Sequence, residues 1–241
     1  MPSICKTSFR KSTKVYNNSL KMTRTPFSEN SFYIVEDDYI WFINENENLN
    51  RTAWPQKVSY IFPTMSGKID AILFDESKNE FLIFKSTDYW KFKTQGIDPL
   101  EPSLMVKGYP RKIKEDFGLK NIEAGFFVQT NRSNPFDENL MLLFKDSKIV
   151  KFNGTRPIGI YFLPFEITPL QFTIDIDSNF FYVLFENRFV HFMINYKNHQ
   201  VNLKYIDSNL RNSKMYISHF IFVKFYLNVI KNIYILGAHH F

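Results

Sequence analysis

The chain has 241 residues, enough for one domain or two small ones with a sizeable core, and its 27 Phe and 13 Tyr against only 8 Gly favour strands and leave no material for a glycine-rich phosphate loop. The net charge is +6 and resides entirely in residues 1–28, where Lys6, Arg10, Lys11, Lys14, Lys21 and Arg24 stand without one acid. A single cysteine, Cys5, excludes an intrachain disulfide and fits a reducing context or a chain that does without such bonds.

Three readings of the basic stretch remain open: a solvated tail, an arm for polyanions through Lys6, Arg10, Lys11 and Lys14, and an organelle transit peptide. No apolar run of signal-peptide type is present. Residues 1–14 read as the tail, and Val15–Met22 as a degenerate first strand.

Next comes a hairpin, Phe32 to Phe42 around Glu36-Asp37-Asp38, then a polar loop at Asn44–Asn50. Trp54-Pro55 is followed by Val58 and Phe62. The second unit is the clearest. Ile69-Asp70-Ala71 opens an apolar run to Phe74, and Glu80–Phe84 and Asp88–Phe92 flank the polar turn Lys85-Ser86-Thr87-Asp88. A loop at Thr94–Ser103 leads to Gly108-Tyr109-Pro110, Ile113 and Phe117-Gly118-Leu119. Ile122-Glu123-Ala124 then repeats the opening, with an insertion at Gln129–Asn139 and a hairpin from Leu140 to Phe152 around Lys145-Asp146-Ser147. Asn153-Gly154 marks a tight turn. Leu163-Pro164, Ile167 and Phe172 follow, then Ile174-Asp175-Ile176 and a last hairpin, Phe180 to Phe192 around Glu186-Asn187. Helical periodicity is hard to find before residue 210. Trp41 and Trp90, each in the second strand of a hairpin, are expected to be mostly buried.

Three features keep a period of roughly 50 residues: the Ile-acid openings, the prolines with an aliphatic residue three positions on, and the hairpins. That period is in the range of propellers and arrays. In this pattern residues 17 to about 192 resemble haemopexin-like repeats. The second unit carries the resemblance through Asp70-Ala71, Phe84-Lys85, Tyr89-Trp90-Lys91-Phe92, Gly108-Tyr109-Pro110, Ile113 and Phe117-Gly118-Leu119. The first and third units match in part and the fourth only at its hairpin.

The resemblance implies an all-β, four-bladed haemopexin-like β-propeller with a degenerate fourth blade. The blades would cover about 15–68, 69–121, 122–173 and 174–241 of a propeller spanning 15–241. The family's propellers are typically extracellular and often stapled by a disulfide between first and last blades. This chain lacks that pair, so its ring would close by packing or strand exchange. Losing such a staple typically costs about 2–5 kcal/mol.

The resemblance also implies a non-catalytic module that binds a matrix or other protein, or haem. The alternative is the haemopexin-like portion of a matrix metalloproteinase-type protein whose zinc catalytic domain lies outside this chain. The residues agree in that no His-Glu-x-x-His helix motif and no nucleic-acid motif is present. Cys5 has no histidine near it in sequence, and His239-His240 read as a frayed terminus. A third possibility, an enzyme working from the channel, would have only Asp70, Glu123 and Asp175 to use.

Those three acids open three presumed inner strands. In a closed ring they would converge on the axis, where carboxylates and carbonyl oxygens suit a hard cation such as Ca²⁺. The competing reading is that they cap neighbouring strand ends. The blade-one position, near Asn17–Ser19, has no acid.

Four Asn-x-Ser/Thr sequons, at Asn17, Asn50, Asn131 and Asn153, are compatible with glycosylation but no more frequent than chance allows. The apolar stretch Met215–Leu236 is broken by Lys224 and Lys231, which argues against a membrane span and leaves outer strands of blade four or a packed helix.

Overall fold

A computed structural model describes residues 21–28, 31–44, 53–96, 98–127, 140–146, 148–162, 170–177, 180–185, 188–195 and 200–207, the last four segments as backbone. The Lys6, Arg10, Lys11 and Lys14 arm, the loops at 45–52 and 128–139, and the segment 208–241 lie outside them.

The described strands form four antiparallel sheets, each from consecutive pieces of chain. The first holds β1 (Lys21–Arg24), β2 (Ser31–Glu36), β3 (Tyr39–Asn44) and β4 (Gln56–Lys57). The second holds β5 (Ala71–Asp75), β6 (Glu80–Lys85), β7 (Asp88–Lys93), β8 (Leu104–Met105) and the short β9 (Arg111–Lys112), which pairs with β7. The third holds β10 (Ala124–Phe127), β11 (Leu140–Lys145), β12 (Lys148–Asn153) and β13 (Arg156–Phe162). The fourth holds β14 (Leu170–Asp177), β15 (Phe180–Phe185), β16 (Arg188–Asn195) and β17 (Gln200–Asp207).

The central hairpin of every sheet turns through two residues, as the alternating apolar runs require. Asp37, Ser86 and Asp146 each begin such a turn with φ of 51°, 55° and 48°. Short polar residues tolerate this left-handed backbone better than β-branched ones do. Asn153-Gly154 proves to be a turn within the third sheet, joining β12 to β13, with Gly154 at φ 59°.

The innermost strands close a ring. β1 lies beside β5, β5 beside β10, β10 beside β14, and β14 beside β1. Each sheet stays open and uses its own strands, so among the described residues the ring closes by packing and not by strand exchange. The contact is close: a Cβ on Gly125 in β10 would meet the Leu142 carbonyl at 2.8 Å and Leu73 of β5 at 3.0 Å.

Between sheets lie aromatic cores. Tyr33, Phe42, Phe62, Phe81 and Phe92 fill the space between the first and second sheets. Phe84, Tyr89, Phe117 and Phe152 fill that between the second and third. The rings meet mostly edge-on or tilted, as with Phe117 against Tyr89 (5.0 Å) and Phe152 (5.4 Å).

Two expectations need correction. The segments after Trp54-Pro55 and Tyr109-Pro110, both cis peptides, are helical: α1 (Val58–Ile61) and α2 (Ile113–Phe117). Each is a single turn that buries apolar residues three or four apart, Val58 with Ile61 and Ile113 with Phe117. Gly118 ends α2 with a left-handed cap at φ 67°. Trp41 and Trp90 are only half-buried. In β7 the buried residues are Tyr89 and Phe92, and Trp90 flanks the core between the first two sheets. The last described strand of the fourth sheet is β17, and the apolar stretch at 215–236 lies outside the described residues.

Truncation should separate these environments. Phe117→Ala removes a 5 % exposed ring and should cost about 3–5 kcal/mol in urea unfolding. Trp41→Ala, at a half-buried site, should cost clearly less; equal losses would contradict this packing.

Candidate functional site

Two of the three acids predicted at the axis, Asp70 and Glu123, sit just before the inner strands. Asp70 donates its backbone N–H to Phe84 O at 2.8 Å, and Glu123 does the same to Phe144 O at 3.0 Å. Their carboxylates do equivalent work. Asp70 Oδ2 accepts the N–H of Ser86 at 2.5 Å, and Glu123 Oε1 accepts the N–H of Asp146 at 3.4 Å. Each therefore holds the first residue of its own sheet's central turn, where the left-handed backbone needs support. Lys145 Nζ adds a bond to Glu123 Oε1 at 3.2 Å. The other oxygen, Oε2, is buried with no hydrogen-bond partner among the described residues.

Asp175 stands elsewhere. Ala71 pairs with Phe84, Ala124 with Phe144 and Phe172 with Leu184, so Gln171 is the fourth sheet's counterpart of Asp70 and Glu123. Asp175 pairs with Phe181, as Phe74 pairs with Phe81, toward the far end of the strand. The Ile-acid-Ile pattern mimics the repeat but is displaced four residues along the register. Among the described residues no three His, Cys, Asp or Glu side chains gather as a metal site.

Sequence reasoning passed over Lys21. Pairing with Val35 puts it at the position of Ala71 and Ala124. Instead of extending a solvated tail, Lys21 is 5 % exposed, and its Nζ donates to Glu123 O at 3.1 Å. In ring order β1 and β10 face each other across the axis, so this bond spans it. Burial pulls the ammonium down to about 8 from the usual 10.5; Asp70 and Glu123 oppose the fall and Lys68 adds to it. The signal was available: a lysine aligned with two alanines of inner strands.

Three further described carboxylates serve local structure. Asp75 accepts from the N–H and hydroxyl of Ser77 and from the N–H and ammonium of Lys78, and Asp116 accepts from Tyr89 OH at 2.7 Å and Arg111 at 2.5 Å. Asp88 pairs with Lys112 at 2.8 Å. The loop at 94–103 is anchored on the first sheet: Ser103 N–H donates to Ile61 O at 2.8 Å and Tyr33 OH to Pro99 O at 2.6 Å. No helix among the described residues is long and apolar enough to cross a membrane.

Comparison with known proteins bears on this geometry. The Hemopexin family model matches residues 69–121, which comprise the second sheet, α2 and their connections. The fold is haemopexin-like. A plant lectin with two metal binding sites from Cicer arietinum superposes with a TM-score of 0.59 at 15% identity, covering 79% of this chain and 92% of that one. The hemopexin fold protein CP4 from cow pea gives 0.56 at 15%, over 77% and 91%. In sequence, Stromelysin-1 of Equus caballus is 33% identical over 120 residues, 46% of this chain and 23% of that protein. Stromelysin-2 of Rattus norvegicus is 31% identical over 85 residues, 35% and 16% respectively. The chain thus spans less than a quarter of these relatives' length. The haemopexin-like repeat is clearest where Tyr89, Pro110, Ile113 and Phe117 build the second sheet's outer half.

The Lys21 shift makes stability depend on pH. Between about pH 8 and 10.5 the unfolded chain keeps a proton that the folded chain has lost, so stability rises with pH in that window. From pH 7 to about 9.5 the gain should be about 1–3 kcal/mol in urea unfolding. Lys21→Met should remove that increment. Buried Tyr33 and Tyr89, whose phenols are pushed up, oppose it only at higher pH. A wild-type profile indistinguishable from that of Lys21→Met would place the amine in water.

Proposed function

We propose that this chain is a non-catalytic, haemopexin-like module that binds a protein ligand on its outer rim. The observation that carries the reading is β13. Ile158, Ile160 and Phe162 are 45 %, 53 % and 64 % exposed on one face of that outer strand, while Tyr161 on the other face is buried. Val150 pairs with Ile160, so the exposed face turns toward the second blade. Exposed apolar side chains at period two on an edge strand suit protein recognition more than solvation. Asp70, Glu123, Asp116 and Asp88, in contrast, hold turns and ion pairs. The resemblance to haemopexin-like repeats makes a matrix protein the first ligand class to test. Haem and, through the basic arm, a polyanion are the other ligands to include.

A second reading rests on coverage. Because the chain corresponds to under a quarter of Stromelysin-1, it can be the haemopexin-like portion of a metalloproteinase-type protein. A zinc-helix His-Glu-x-x-His segment upstream in the same transcript would support that version.

The test is saturable binding of immobilised protein to a panel of matrix proteins, haem and heparin. A protein ligand should bind without turnover, and Phe162→Asp should weaken it at least about tenfold while shifting unfolding by no more than roughly 0.5 kcal/mol. Chelator-sensitive peptidase activity of the purified 241-residue chain would overturn the reading.

A further inference from the structure

We propose that the ε-ammonium of Lys21 is the cation of the central channel, tethered to the first blade and bonded across the axis to the third. The inner-strand register has one position shared by Lys21, Ala71 and Ala124. Two blades place a methyl group there and the first places a long cationic side chain. Its Nζ donates to Glu123 O at 3.1 Å, a backbone carbonyl at the mouth of an inner strand. That is the oxygen type a hard metal ion would take at this end of the ring.

Two carboxylates offset part of the burial that disfavours this charge. The Asp70 and Glu123 carboxylates both stabilise the ammonium through space. Each already spends one oxygen on a turn amide, and the buried Glu123 Oε2 has no hydrogen bond, so nearby positive charge is its compensation. A Ca²⁺ ion would need six to eight oxygen ligands and would meet an ammonium already bonded to one of them. Asp175, the third acid expected to join such a site, lies toward the opposite end of its strand. With Lys21 bonded there, the channel end therefore does not fit the metal that the repeat pattern suggests. The lysine supplies the charge and links two blades whose inner strands stand opposite each other in the ring.

The experiment titrates CaCl₂ into the intact chain and into Lys21→Ala, by calorimetry and by thermal unfolding with and without EDTA. The wild type should show no saturable calcium binding and an unchanged Tm. Lys21→Ala should gain one Ca²⁺ per chain and a Tm rise of roughly 5 °C in saturating calcium. Should that variant not fold, Lys21→Gln removes the charge while keeping most of the side chain. One Ca²⁺ bound per wild-type chain overturns the proposal, and so does a folded variant that gains no calcium affinity.

Discussion

The packing of four inner strands around one axis sets the rest of the structure. Strands β1, β5, β10 and β14 adjoin in a closed order, and no covalent link holds the ring. Their approach is close enough that Gly125 has no room for a Cβ between Leu142 and Leu73. From this hub each sheet runs outward, and its faces are covered by its neighbours. The aromatic content follows from that geometry. A wedge between diverging sheets widens toward the rim, and Phe and Tyr rings fill such space with few rotatable bonds, as Phe62, Phe81 and Phe92 do between the first two sheets. The single-turn helices α1 and α2 follow the two-residue strands β4 and β9 and add Val58, Ile61, Ile113 and Phe117 to these cores.

Much of this was legible in the sequence because hairpins are local. The turns at Asp37-Asp38, Ser86-Thr87 and Asp146-Ser147 sit between alternating apolar runs, and the period between them gives the blade count. The helices escaped notice because one turn is too short for periodicity. Only the spacing of Val58 with Ile61, and of Ile113 with Phe117, marks them. Both faces of β7 are covered, Tyr89 facing the third sheet and Trp90 with Phe92 the first, and Trp90 lies at the edge of that core, where it stays part-exposed.

The candidate site was harder to read because position in a sheet depends on register. Asp70 and Glu123 do share a place, but each braces its own turn. The residues Ile174-Asp175-Ile176 match the motif by letter only, since Asp175 pairs with Phe181 at the place where Phe74 pairs with Phe81. Lys21 was assigned to a basic stretch by its neighbours in sequence, whereas its neighbours in space are Asp70, Glu123 and Lys68. A charge run in the chain thus ends with one of its members inside the ring. That exchanges hydration for fixed carbonyl and carboxylate dipoles, a costly arrangement unless the partners are held rigidly.

Closure of the ring by packing alone is the central claim, and native-state hydrogen exchange tests it most directly. Amides of β1, β5, β10 and β14 should exchange through one common opening with the free energy of global unfolding, because none of these strands keeps its neighbours once the ring parts. Exchange of β14–β17 at markedly lower free energy, with β1, β5 and β10 still protected, would show a fourth sheet merely leaning on three and would contradict a closed ring.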